Sequence, residues 1–153
     1  MLHIFVDADA CPVKSEVYRV AHRYKLGVTL VAGARMRIPD GMNIGLKVVG
    51  QGMDAADNWI VDQVEPTDIV ITADIPLAAR CIAKGAHVLA PTGKLFSDDN
   101  MGSALATRNL LSELRELGEI TGGPRPFNKR DRSRFLQSLD QAVNQIRREM
   151  GPL

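Results

Sequence analysis

Five short apolar runs divide this chain, and between them apolar residues recur every three or four positions. The runs Leu2–Val6, Val28–Ala32, Leu46–Val49, Ile69–Ala73 and His87–Ala90 are short, apolar and rich in β-branched side chains, which predicts strands. The first intervening stretch carries Val13, Val17, Val20, Ala21 and Tyr24 at helical steps, with Pro12 suited to a first turn and Gly27 as a stop. A second helix is predicted from about Met53 to Val64, started by Asp54 as a cap, buried through Ala56, Ile60 and Val64, and ended by Pro66. Pro76 opens a third through Leu77, Ala78, Cys81 and Ile82, with Gly85 after it. A longer leucine-striped helix follows over Asn100–Leu117, ended by Gly118, and a last one runs from about Arg130 to Glu149 on Phe135, Leu136, Leu139, Val143 and Ile146. Arg35–Gly45 and Glu119–Lys129 read as loops because Pro and Gly punctuate both.

Strands alternating with helices predict an α/β fold, a three-layer sandwich around a mostly parallel central sheet of about five strands. The uninterrupted run Ile69–Ala73 belongs in the middle of such a sheet, where helices cover both faces. With 153 residues, 45% of them hydrophobic, and no internal repeat, the expectation is one domain over residues 1–153 with a basic C-terminal helix from about 130. The two cysteines, Cys11 and Cys81, are too few for a zinc cluster or a disulfide framework, which fits a reduced cytoplasm. Met1–Val6 reaches Asp7 too soon for a signal peptide, and no apolar run approaches the roughly 20 residues of a membrane span. A cytoplasmic protein with no membrane partner is expected.

Two of the runs end in acids: Phe5-Val6-Asp7-Ala8-Asp9 and Val70-Ile71-Thr72-Ala73-Asp74. Right-handed crossovers place parallel strand ends on one edge, where open α/β sheets bind their ligands. Asp7, Asp9 and Asp74 fall on that edge, and Asp54 and Asp57 open the helix after the third strand. Carboxylates about 4 Å apart repel by roughly 1 kcal/mol in water and about 4 kcal/mol at an effective dielectric of 20, so such a cluster must hold a proton or a cation. Oxygen-only ligands suit Mg²⁺ or Mn²⁺. Structural roles compete at each position: Asp54 as a helix cap, Asp57 as a first-turn acid, Asp9 as a cap for the helix opened by Pro12. Asp7 and Asp74 end buried strands, a location that gives an acid nothing unless it is paired. His3, His22 and His87 lack metal-ligand spacing and read as structural.

The net charge of +1 is unevenly spread. Residues 1–99 hold 10 Lys and Arg against 12 Asp and Glu, whereas residues 100–153 hold 9 against 6. The densest basic stretch is Arg125, Lys129, Arg130, Arg132 and Arg134, which is either a solvated helix face or a rim that contacts phosphates. Aromatic residues make up only 5% of the chain, with Trp59 and Phe127 the best stacking candidates, and this argues against base-specific stacking.

The segments Phe5–Pro12, Asp54-Ala55-Ala56-Asp57, Val70–Ala78 and Thr121-Gly122-Gly123-Pro124, four blocks in order across nearly the whole chain, closely resemble the YaiI/YqxD family of bacterial proteins. That family is similar to PIN-like domains, nuclease folds whose strand-end and helical acids bind Mg²⁺ or Mn²⁺ and cut RNA. The resemblance implies Asp7, Asp57 and Asp74 as the catalytic acids, Asp9 and Asp54 as additional metal ligands, and RNA as the partner. In that reading Asp7 and Asp74 hold the metal, Asp57 completes its shell or orients water, Thr72 hydrogen-bonds phosphate, and Lys129, Arg130 and Arg132 position the backbone. The chain departs from the PIN pattern in two places. The helical acid is Asp rather than the commoner Glu, and the next acids after Asp74 are Asp98 and Asp99.

Other readings compete. Asp7-Ala8-Asp9 after a strand resembles the nucleophile and acid/base pair of haloacid-dehalogenase-type phosphatases, with Asp98 and Asp99 as later metal acids. Gly50-Gln51-Gly52-Met53-Asp54-Ala55 matches a dinucleotide fingerprint, but Asp54 and Asp57 would repel a pyrophosphate, so the glycines serve a tight turn. A cysteine phosphatase is excluded because position 17 is Val where an arginine is required, and acidic neighbours would raise the Cys11 thiol pKa. A non-catalytic module that binds metal and RNA is the remaining alternative, and a homo-oligomer or a protein partner stays open.

Overall fold

The computed structural model describes residues 2–9, 11–41, 43–50, 52, 54–97, 100–102, 106 and 127–150. In chain order the elements are β1 (His3–Asp7), α1 (Lys14–Tyr24), β2 (Gly27–Ala32), β3 (Ile44–Val48), α2 (Ala55–Gln63), β4 (Ile69–Ile71), α3 (Ile75–Ala83), β5 (His87–Leu89), β6 (Leu95–Phe96) and α4 (Lys129–Met150). One sheet has the order β3-β2-β1-β4-β5-β6. Its first five strands run parallel, and β6 pairs antiparallel with β5.

Period-2 alternation sorts the strand side chains into two cores. Ile4, Val6, Val28, Leu30, Ile69 and Ile71 pack with Val13, Val17 and Val20 at and along α1 and with Phe135, Leu139 and Val143 of α4. Phe5, Val31, Val70 and Val88 point the other way, onto Ile60 of α2 and Leu77, Ala78 and Cys81 of α3. Two helical layers therefore enclose the sheet as expected, and full burial of a side chain such as Phe135 contributes about 1.5–3 kcal/mol.

The differences from the sequence reading have local causes. The sheet has six strands rather than about five, because β6 is two residues long and offers no period to read. A tight turn at Ala90–Lys94, with Gly93 at φ +91, folds β6 back on β5. Strand β3 starts at Ile44, so Gly45 lies in the strand rather than in the loop, and β4 stops at Ile71, leaving Thr72 and Ala73 beyond it. Helix α1 begins two residues after Pro12. Helix α4 matches its expected span to within a residue at each end. At its start Asn128 N–H donates to Asp131 Oδ2 (3.1 Å) and Asp131 N–H donates to Asn128 Oδ1 (2.9 Å), a reciprocal cap. Of the helix expected over Asn100–Leu117, only Asn100–Gly102 and Ala106 are described, all helical. The rest of it, Asp98, Asp99, Arg125 and the Thr121–Pro124 segment lie outside the described residues. His3 is structural as expected: its Nε2 shares a 2.7 Å hydrogen bond with Thr29 Oγ1, and its ring packs against Phe5. Among the described residues no helix is long and apolar enough to cross a membrane.

Candidate functional site

The strand order reverses at β1: the chain adds β2 and β3 on one side, then returns through α2 to place β4 on the other. A crevice outside the carboxyl ends of the strands at such a switch point is the ordinary ligand site of an open α/β sheet. Here it is a cleft of about 580 Å³ whose lining includes all five acids singled out in the sequence, Asp7, Asp9, Asp54, Asp57 and Asp74, together with Gly33, Gly50 and Gly52. Gly50, at φ +85, makes the tight turn expected of it.

Each acid is held differently. Asp7, the last residue of β1, accepts a 2.9 Å hydrogen bond on Oδ2 from the Thr72 hydroxyl. That same Thr72 oxygen accepts from Asp74 N–H at 3.0 Å, and Asp74 Oδ1 accepts from Leu77 N–H at 3.0 Å. Asp74 is therefore the N-cap of α3, with Pro76 in the first turn. Asp9 does not cap α1; its Oδ2 accepts from Gly33 N–H (2.9 Å) and ties the end of β1 to the end of β2. Asp54 occupies the N-cap position of α2, but its side chain makes no cap bond and its backbone is left-handed, at φ 61. Asp57 sits in the first turn of α2.

The electrostatics follow from this crowding. Burial raises the Asp7 carboxyl above its ordinary value, and Asp74 and Asp9 raise it further against the Thr72 hydrogen bond. Asp57 is pushed up to about 6 by desolvation first, then by Asp74, Asp7 and Asp54, with Arg80 opposing. A site that favours protonated acids also favours a cation, since either relieves the same repulsion. Asp7 Oδ1, Asp9 Oδ1 and Asp74 Oδ2 carry no hydrogen bond to any described residue. The donor set thus fits a hard divalent cation in chemistry. Among the described residues no group of three or more acidic, His or Cys side chains stands close enough together to hold a metal ion, so the chain by itself does not form a closed metal site.

The four candidate substrate contacts sit differently from expectation. Thr72 is 2% exposed and its hydroxyl links Asp7 to Asp74, so it positions acids rather than presenting itself to phosphate. Arg132 donates to the Pro12 carbonyl (2.7 Å) and to Glu16 Oε1 (3.3 Å) and stacks over Phe127, tying α4 to α1. Lys129 and Arg130 are exposed at the start of α4, outside the cleft lining. Trp59 packs edge-on against Phe5 with Lys47 over its ring. The Cys11 thiol is pushed up as expected, with burial the main cause and Asp7 and Glu16 lesser ones. Sequence reasoning missed the Asp74 cap, although Asp followed by Pro two residues on is a helix-start signal, and it missed the Gly33 contact, which depends on strand order.

A family model described as "Uncharacterized BCR, YaiI/YqxD family" matches residues 5–145. A UPF0178 protein of Rhodopseudomonas palustris (strain TIE-1) is 57% identical over 153 residues, covering 99% of this chain and 97% of its own. UPF0178 proteins of Nitrobacter winogradskyi and Bradyrhizobium sp. (strain ORS 278) are 56% and 55% identical, covering 96% and 95% of this chain and 94% and 89% of their own. No solved structure matches. With a model match from the first strand almost to the end of α4 and more than half of all residues shared with these relatives, the chain belongs to the YaiI/YqxD family.

Proposed function

We propose that this protein is a metal-dependent phosphodiesterase of PIN-like type, acting on RNA in the bacterial cytoplasm. The observation that carries this reading is the gathering of five carboxylates around one cleft at the switch point of the sheet, with Asp57 pushed up to about 6 by burial first and then by its acidic neighbours. Asp7, Asp57 and Asp74 are the central acids, and Asp9 and Asp54 extend the ligand set. A Mg²⁺ or Mn²⁺ ion held by these acids would supply an activated water and charge neutralisation at phosphate oxygens. The protein's own part is positional. The Thr72 hydroxyl ties the Asp7 carboxylate to the Asp74 backbone N–H, and Leu77 N–H holds the Asp74 carboxylate, so one oxygen of each acid is without a hydrogen bond to any described residue. Asp57, in the first turn of α2, would complete the metal's shell or orient the reacting water. Lys129 and Arg130 hold the nucleic-acid backbone through their charge.

The test is cleavage of end-labelled single- and double-stranded RNA and DNA, with Mn²⁺ or with chelator, by wild type and Asp7→Asn prepared in parallel. Cleavage that requires both metal and Asp7 is expected, with RNA preferred. Equal cleavage by the variant overturns the reading. Metal-dependent RNA binding without product would instead favour the non-catalytic module, and an aspartyl-phosphate trapped by a fluoride analogue the phosphatase.

A further inference from the structure

A second pocket of about 480 Å³ lies between the β5–β6 turn and α4, lined by Thr92, Gly93, Lys94, Arg134, Ser138 and two glutamines. Its charge is opposite to that of the acidic cleft. Arg134, Gln137, Ser138 and Gln141 recur at i, i+3, i+4 and i+7, so they form one polar stripe of α4. The acids nearest on that helix are engaged elsewhere: Asp131 accepts from Asn128 N–H, and Asp140 accepts from Arg23 (2.9 Å) and from the Tyr24 hydroxyl (2.7 Å). Lys94 lies over the Phe96 ring at 5.7 Å, and neither Lys94 nor Arg134 forms an ion pair with a described residue. Gly93 shapes the pocket. A Cβ there would stand 2.8 Å from the Arg134 carbonyl carbon and 2.9 Å from its oxygen, so only glycine lets the turn touch the helix backbone.

We propose that this pocket binds a backbone phosphate of a single-stranded nucleic acid. Two cations, a pair of hydroxyls and two amides supply donors to an anion, and among the described residues no carboxylate lines the pocket. The pocket follows the carboxyl end of β5, two strands from β1, on the α4 side of the sheet, whereas Asp54 and Asp57 reach the acidic cleft from the α2 side. A single strand crossing the carboxyl edge of the sheet from the acidic cleft would bring a further phosphate toward Lys94 and Arg134. The inference rests on the nucleic-acid reading above but does not depend on turnover.

Its test is run in chelator, so that cleavage does not enter, on wild type and a Lys94→Gln/Arg134→Gln variant whose melting is checked first. Titration with inorganic phosphate should shift the Gly93, Lys94 and Ser138 amide resonances in wild type and not in the variant. Binding of a short single-stranded RNA should weaken about tenfold in the variant, and the slope of log affinity against log salt should fall by about 0.7, the loss of one neutralised phosphate. An unmoved Gly93 amide in wild type, an unchanged salt slope, or no RNA binding by wild type would overturn the proposal. If these shifts appear while Asp7→Asn cuts RNA like wild type, the phosphodiesterase reading falls and the phosphate pocket stands.

Discussion

Asp68 and Asp7 mark opposite edges of the same sheet, and the company each keeps separates a structural acid from a candidate functional one. Asp68, 4% exposed, accepts from His3 N–H (3.1 Å) and Glu65 N–H (2.9 Å), and the His3 ring adds favourable charge. Asp7 receives one hydroxyl and otherwise faces Asp9 and Asp74. Burial raises both carboxyls; at Asp68 two backbone donors and His3 oppose the rise while Glu65 adds to it, whereas at Asp7 a single hydroxyl opposes it and both Asp74 and Asp9 add to it. A carboxylate surrounded by donors holds the fold together. One surrounded by carboxylates costs folding energy unless something outside the chain neutralises it.

The sharpest way to break this contrast is a crossed pair of substitutions. Asp7→Asn should lower metal-dependent RNA cleavage at least about hundredfold, roughly 2.7 kcal/mol, yet leave stability to urea unchanged or slightly higher, because it removes repulsion. Asp68→Ala should do the reverse, costing about 2–4 kcal/mol in urea unfolding because two backbone N–H groups lose their acceptor, while Mn²⁺ affinity stays as in wild type. A destabilised Asp7→Asn protein with normal activity would erase the distinction.

Smaller effects sharpen it. Thr72→Val keeps the shape but deletes the bridge between the two strand-end acids, so about 1–2 kcal/mol of stability and several-fold in Mn²⁺ affinity should be lost together, read by urea unfolding and by calorimetry. The pH dependence tests the cleft directly. Asp57 is raised from 3.8 to about 6 in the folded state, so the folded chain binds more protons than the unfolded chain between those values. Stability without divalent cation should therefore fall as pH rises from about 4 to 6, by of order 1 kcal/mol after solvent screening at this half-exposed group. Asp57→Asn should flatten the curve, and saturating Mn²⁺ should restore stability at the high-pH end. Least in size, Arg132→Ala should cost about 1 kcal/mol or less by loosening α1 from α4, with the salt dependence of RNA binding unchanged.

Much of this was legible without coordinates, and the limits fall at identifiable places. Helix α4 could be read nearly to the residue because its apolar stripe is long and its Asn128/Asp131 cap is local. Strand β6 could not, since two residues carry no period and its pairing with β5 depends on the Gly93 turn. The five acids were found because each follows a strand or opens a helix. Their individual partners were not. Thr72 was read as a phosphate contact because an exposed hydroxyl and a buried one look alike in a sequence, and Asp54 as a side-chain cap because its position is right although its backbone is left-handed and its side chain makes no cap bond. Arg132 was grouped with its basic neighbours, whereas the packing of α4 on α1 turns it to the Pro12 carbonyl.

The sequence by itself determined the α/β alternation, the apolar faces of the helices and the carboxylates at the strand ends, because periodicity and capping act over a few residues. Only the tertiary structure decided that β2 and β4 flank β1, and hence that acids 67 residues apart in the chain, Asp7 and Asp74, share one hydroxyl and one cleft. It also decided that the turn after β5 meets α4 to form a cationic pocket on the same edge. Strand order is set by which crossovers bury the most apolar surface over the whole sheet, a sum over distant residues that no local pattern records.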